Sequence, residues 1–280
     1  MQRSLAPVAE MVALDRAQCD VSDENALRAL IRSARPAAIV NAAGYTAVDR
    51  AESDISAAEA VNARAPGVIG EEAARLGAWV VHFSTDYVFD GAGPSPYTED
   101  DATNPQSAYG RTKRDGELAL QASGARHLIF RASWVAGAHG SNFVKTMLKL
   151  AAERDSLRVV ADQFGAPTPA ALLADVTAQL LRQVQREGAA GFPFGLYHLV
   201  PAGETNWHDY ACFVVGEALR NGKQLRVRPE NIMPITSAEY PTAARRPANS
   251  RLDASRLRKT FGLELPHWQS GIQHLLQQIL

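Results

Sequence analysis

Residues 107–117 read SAYGRTKRDGE and set a phenol, Tyr109, four residues ahead of an ammonium, Lys113. On a helix, residues four apart lie one above the other on the same face. An ammonium beside a phenol favours the phenolate, which makes the phenol a better proton shuttle near neutral pH. A solvated surface pair has the same spacing, so the pair gains meaning only from what the chain assembles around it. Other reactive side chains are sparse. Cys19 and Cys212 show neither a disulfide framework nor metal-ligand spacing, read as ordinary half-buried residues, and suit a reducing compartment. His82, His127 and His198 fall in or next to apolar runs and read as core or edge histidines. No His/Asp/Glu spacing suggests a metal site.

The elements that must position the pair alternate in type along the chain. Short runs rich in Val, Ile and Ala, at MVAL (11–14), AAIVNAAG (37–44), AWVVHFSTDYVF (78–89), RHLIFRASWV (126–135) and LRVVADQFGAPT (157–168), read as strands. Between them lie amphipathic stretches: 22–36, capped by Ser22 or Asp23; 47–77, stopped at Gly77; the SAYGRTK helix; 142–155; and the run from Pro169 to Gly188. This alternation predicts an α/β fold, a Rossmann-like doubly wound parallel sheet. After about residue 190 the pattern loosens and predicts a small C-terminal lobe. The expected division is 1–165 for a dinucleotide-binding domain and 166–280, partly interleaved with it, for a substrate lobe.

Charge excludes several partners. The net charge of −1 with mixed signs leaves no footprint for a nucleic-acid backbone; Arg245-Arg246, with Arg251 behind, suits one phosphorylated small molecule. No apolar run approaches 18 residues, and the N-terminus has no uninterrupted apolar signal core, so the expectation is a cytoplasmic, unanchored protein. A nucleotide-binding sheet normally opens on a strand and glycine-rich turn. No G-x-G-x-x-G stands near the start; QRSLAP reads as the back half of a helix and runs straight into MVALDR. The expectation is that ~15–20 residues, one strand, a turn and a helix start, precede Met1.

The motifs MVALDR, IVNAAGYTAVDRAE, HFSTDYVFDG, YGRTK, FRASWV, DQFGAPT and RRPANSRL occur in this order. Together they resemble the dTDP-4-dehydrorhamnose reductase family, an extended-type branch of the short-chain dehydrogenase/reductase superfamily, over essentially the whole chain. The resemblance implies NAD(P)H-dependent reduction of the C4 keto group of dTDP-4-dehydro-L-rhamnose to dTDP-L-rhamnose. It makes Tyr109 the general acid at the carbonyl oxygen, Lys113 the group that lowers the phenol's pKa and bonds the nicotinamide ribose, and Thr85 a hydroxyl against the same oxygen. Asp15, at the end of the second expected strand, would bond the adenosine ribose, while Arg16 would instead embrace a 2′-phosphate; NADPH is preferred over NADH. Asp20 and Val21 occupy the adenine-side loop, and Ala43, Gly44 and Tyr45 the turn where backbone approaches cofactor. Asp86, Trp134, Asn142, Phe143 and Gln163 match sugar-nucleotide positions, with Arg246 a partner for the diphosphate. The family's Mg²⁺ contact uses an acidic residue just upstream of Met1, a position this chain does not contain, so no metal ligand is assigned. A monomer and a homodimer both remain open. Two alternatives compete: a non-catalytic nucleotide- or partner-binding regulatory protein on the same scaffold, and a reductase of another nucleotide sugar.

Overall fold

The computed structural model describes residues 1–280. Helix α1 (Gln2–Leu5) lies against a later helix through Leu5, which is buried, and a bond from Ser4 Oγ to Asp175 Oδ1 at 2.8 Å. Helix α2 (Glu24–Ala34) starts where Asp23 accepts the amides of Asn25 and Ala26. Strand β1 (Ala38–Asn41) follows, then α3 (Val48–Ala51), α4 (Ile55–Glu59), a π-helical turn (Ala60–Arg64) and α5 (Ala65–Leu76). The expected single helix over 47–77 is thus three helices and a wide turn. Its glycine stop is where the sequence places it: Gly77 has φ 71°, a left-handed conformation that glycine adopts without strain.

Strand β2 (Trp79–Thr85) leads through a loop to α6 (Ala108–Ala122), whose N-cap Ser107 accepts the Gly110 amide. Strand β3 (Arg126–Ala132), the short β4 (Val135–Ala136), α7 (Phe143–Glu153), β5 (Leu157–Val160), β6 (Phe164–Gly165), β7 (Thr168–Pro169) and α8 (Ala170–Glu187) complete the middle. The remainder is β8 (Gly195–His198), β9 (Thr205–Asn206), α9 (Trp207–Arg220), β10 (Ile232–Ile235), α10 (Ser255–Phe261) and α11 (Trp268–Ile279). The main sheet is parallel, in the order β1-β2-β3-β8.

Alternate residues of the sheet face opposite layers. Val80 and Ile129 pack with Leu27, Ile31, Val68, Ile69 and Leu120 of α2, α5 and α6. Val81, Leu128 and Phe130 pack with Leu173, Leu180 and Leu181 of α8 and with Leu5 and Leu257. Helices therefore cover both faces, as the alternating pattern predicts. A second core joins α7, β5, α9 and α11 around Met147, Tyr210, Val214 and Ile272. Both halves of the chain contribute to each core, since α8 and β8 serve the sheet while α7 and β5 serve the second core.

One expected strand is absent. Met11–Leu14 is irregular, with Val12 73% and Leu14 42% exposed. Backbone amides and carbonyls of a strand are satisfied chiefly by a neighbouring strand, and no strand of the sheet pairs with this segment. β1 is accordingly an edge strand, and its apolar Ala38, Ile39 and Val40 stay half-buried.

Helix α6 is held close to the π-helical turn at Gly116, where an added Cβ would sit 1.9 Å from the Asn62 carbonyl oxygen. Gly116→Ala is therefore expected to push α6 away and cost about 1–3 kcal/mol. Denaturant unfolding measures this; wild-type stability in the variant would show that α6 does not rest on that turn.

Candidate active site

In a parallel α/β sheet the residues beyond the carboxyl ends of the strands share one crevice. Here the exposed turn Ala42–Gly44 follows β1, Thr85 and Asp86 end β2, and Trp134 follows β3. Helix α6 brings Tyr109 and Lys113 to the end of β2. The Tyr109 phenol lies beside the Thr85 side chain and the Tyr87 ring. Thr85 Oγ1 donates to Asp86 Oδ1 at 3.1 Å and accepts the Tyr87 amide at 3.2 Å, capping the turn Asp86–Val88. Lys113 is 4% exposed and its Nζ donates to the Phe83 carbonyl at 2.5 Å, with His82 Nε2 at 3.4 Å.

The electrostatics differ from expectation at one point. Burial raises the Tyr109 pKa, the neighbouring Thr85 hydroxyl opposes that rise, and Asp86 and Tyr87 add to it. Lys113 does not hold the phenol down, because its amine is turned to Phe83 and His82. Burial lowers Lys113 itself to about 8, with Glu117 opposing. Glu117 in turn is locked to the buried Arg131 by bonds of 2.9 and 2.6 Å. Ser84, on the opposite face of β2 from Thr85, keeps a buried hydroxyl without a partner.

Asp86 is 3% exposed and its Oδ2 has no partner. Burial lifts its pKa to about 7, against the hydrogen bonds of Ser250 and Thr85. Arg246 reaches the same cluster: its guanidinium pairs with Asp49 and donates to the Tyr87 hydroxyl at 3.3 Å, and the Tyr87 ring lies edge-on to Tyr109 at 5.5 Å. Tyr87, Asp49 and Ser250 were not anticipated. Tyr87 lies inside STDYVF, where its type and spacing alone do not connect it to Tyr109 or Arg246.

A second group stands beside the first. Trp134 adopts φ 50° and stacks on Trp207 at 3.6 Å, over Gly165, where a Cβ would meet the indole at 2.7 Å. Phe143 packs on Trp207 and Tyr210. Gln163 is tied into this group, accepting from Trp207 Nε1 at 3.1 Å and donating to Ser237 Oγ at 2.9 Å. The Asn142 side chain likewise caps α7 and donates to the Gly137 carbonyl at 2.7 Å. Trp207 is the hub, stacked on Trp134 and packed on Phe143.

The adenosine-side residues are elsewhere. Asp15 Oδ1 accepts the amides of Ala17 and Gln18, Arg16 pairs with Asp20 at 3.0 Å in the open, and Val21 packs beside Leu27 and Ile31. None of their hydrogen bonds reaches the Thr85 cluster. Of the turn after β1, Tyr45 is tied down, its amide donating to Asn62 Oδ1 and its hydroxyl to Asp54, whereas Ala43 and Gly44 are exposed.

A doubly wound parallel sheet with a threonine, a tyrosine and a lysine converging at its carboxyl edge defines a Rossmann-like protein of the short-chain dehydrogenase/reductase class. The family profile described as RmlD substrate binding domain matches residues 1–280. Curated proteins named dTDP-4-dehydrorhamnose reductase are 48% identical in Shigella flexneri and 47% in Escherichia coli K12, each alignment covering 100% of this chain and 93% of the relative. A crystal structure of dTDP-4-dehydrorhamnose reductase from Bacillus anthracis in complex with NADP superposes with a TM-score of 0.87 at 29% identity, over 99% of this chain and 94% of that one. The chain belongs to this RmlD family.

Asp86 yields a pH signature. It keeps its proton to about pH 7 when folded and loses it near 3.8 when unfolded. Between those values the folded state binds more protons, so stability falls as pH rises. Asp86→Asn is expected to remove up to about 4 kcal/mol of that fall. Unfolding curves at about pH 4.5 and 7.5 measure it; equal slopes in both proteins would rule out a protonated Asp86.

Proposed function

We propose that the protein reduces the C4 keto group of dTDP-4-dehydro-L-rhamnose to give dTDP-L-rhamnose, with NADPH as reductant. The convergence of Thr85, Tyr109 and Lys113 at the carboxyl edge of the sheet carries this reading, and the names of the 46–48% identical relatives support the substrate.

The donor set fits the nicotinamide half of such a cofactor. Lys113 offers amine hydrogens beyond the one given to Phe83, and the exposed Ala43–Gly44 turn offers backbone at the end of β1. Arg16, exposed and paired only with Asp20, is the cation assigned to a 2′-phosphate. A reduced nicotinamide, when bound, supplies the hydride. The protein's own part is to hold and move one proton. Tyr109 gives its phenolic hydrogen to the oxygen that becomes the C4 hydroxyl, and the raised pKa of that phenol keeps the hydrogen in place until negative charge develops on the substrate. Thr85, next to the phenol and held by Asp86 and the Tyr87 amide, contributes a second hydroxyl beside the same oxygen. Trp134 and Trp207 wall the sugar side and exclude water, and Arg246, one aromatic ring from Tyr109, faces the diphosphate.

Supplied with the keto sugar, the protein is expected to oxidise NADPH faster than NADH, followed by nicotinamide absorbance. Tyr109→Phe is expected to lower kcat about 10²–10⁴-fold. A wild-type rate in that variant would remove Tyr109 from the chemistry. Lys113→Ala is expected to weaken cofactor binding, measured by fluorescence titration; unchanged affinity would detach Lys113 from the ribose.

A further inference from the structure

Beneath Lys113 lies a side chain that the proposed reaction does not use. His82 is 1% exposed, with Asn41 Nδ2 3.1 Å from its Nδ1 and Lys113 Nζ 3.4 Å from its Nε2. The orientation of the Asn41 amide is set by backbone: the Ala43 N–H donates to Asn41 Oδ1 at 3.2 Å, and a backbone N–H can only donate. The amide nitrogen of Asn41, a donor with no free lone pair, therefore faces Nδ1, and Nδ1 must accept. Burial and the Lys113 charge hold His82 well below its ordinary 6.5, so the ring is neutral and carries its single proton on Nε2.

That Nε2–H points at the lysine nitrogen. An ammonium has three donors and no acceptor, whereas a neutral amine has a lone pair. The contact is thus a hydrogen bond only when Lys113 is neutral, and donor against donor when it is charged. We propose that Asn41 and His82 form a fixed pair that presents an N–H, not a lone pair, to the amine, making His82 the positioning residue that keeps Lys113 ready to release its proton. This deepens the reductase reading and rests on the part that Lys113 plays in it.

The other groups around the amine do not do this work. Phe83 O on β2 accepts from Nζ in either state. Glu117, one turn along α6, favours the ammonium, but both its oxygens are engaged by Arg131 of β3. Tyr109 stands one turn before, beside Thr85, whose hydroxyl donates to Asp86. The proton count is simple. Once Tyr109 has given its hydrogen to the sugar oxygen, one proton leaves Nζ and one reaches the phenolate. The amine left behind gains the Nε2–H bond, and His82 keeps its own proton throughout.

The full chain, labelled with ¹⁵N-histidine and ¹³C-lysine and studied without substrate or cofactor, gives the test. Wild type is expected to show His82 as the Nε2–H tautomer from about pH 6 to 9, with Lys113 titrating near 8. Asn41→Asp places an acceptor opposite Nδ1. It is expected to move the ring proton to Nδ1 and to raise the Lys113 midpoint by about one pH unit or more, tenfold in proton affinity. A wild-type Nδ1–H tautomer overturns the proposal. So does a midpoint that rises in Asn41→Asp with the tautomer unchanged, since charge alone would then account for it. If that variant does not fold, the wild-type tautomer decides. Neither readout involves turnover, so a failed reductase assay leaves this result standing, and a wrong tautomer leaves the reductase reading standing.

Discussion

A lysine amine sealed beneath a helix, at the end of a parallel strand, governs this site. Taking an ammonium out of water is costly unless polar partners replace the water. The protein supplies one strong acceptor, the Phe83 carbonyl, and a buried carboxylate one helical turn away that is itself neutralised by Arg131. These partners are too few to hold the charge firmly, and the amine titrates close to neutrality. For this to happen, α6 must lie against the end of β2, and its glycines allow that. A Cβ at Gly110 would meet the Tyr87 carbonyl oxygen at 2.2 Å, and one at Gly116 the Asn62 carbonyl oxygen. Close packing of helix on strand and the chemistry of the amine are one requirement.

The same closeness explains Tyr109. A half-buried phenol beside Thr85, Asp86 and Tyr87 is poorly solvated, and that disfavours its anion. The spacing of Tyr109 and Lys113 correctly places both on one face of α6. Spacing carries no information on where the amine turns, and here it turns to the Phe83 carbonyl and His82 rather than to the phenol. In the proposed reaction, charge stabilisation belongs to the moment when substrate oxygen and phenol share the proton.

Much of the fold is legible in sequence because it is written in local chemistry. Asp23 and Ser107 cap helices, Gly77 stops one, and Val/Ile-rich runs become β1, β2 and β3. What depends on a partner distant in sequence is not legible. Met11–Leu14 has a strand's composition and no neighbour to pair with. The amides of Asn142 and Gln163 suit ligand binding by type, yet a helix end and an indole already occupy them. Trp207 and Tyr87 matter through stacking on Trp134 and Tyr109, which no spacing rule connects. His82 reads as a core histidine and is one; its significance lies in which atoms meet its two nitrogens.

The wide turn at Ala60–Arg64 has a consequence for how this chain tolerates change in length. A π-helical turn carries one more residue than the α-helical turn it replaces. Because of it, Asn62 faces inward, where its amide holds both polar groups of the Tyr45 backbone and meets the Thr112 hydroxyl. Deleting one residue there would restore a regular helix and leave the flanking turns nearly in register, but it would carry Asn62 off the Tyr45 backbone and the Thr112 hydroxyl. The stretch looks like unremarkable alanine-rich helix, yet it is less forgiving of a lost codon than the long loop between β2 and α6.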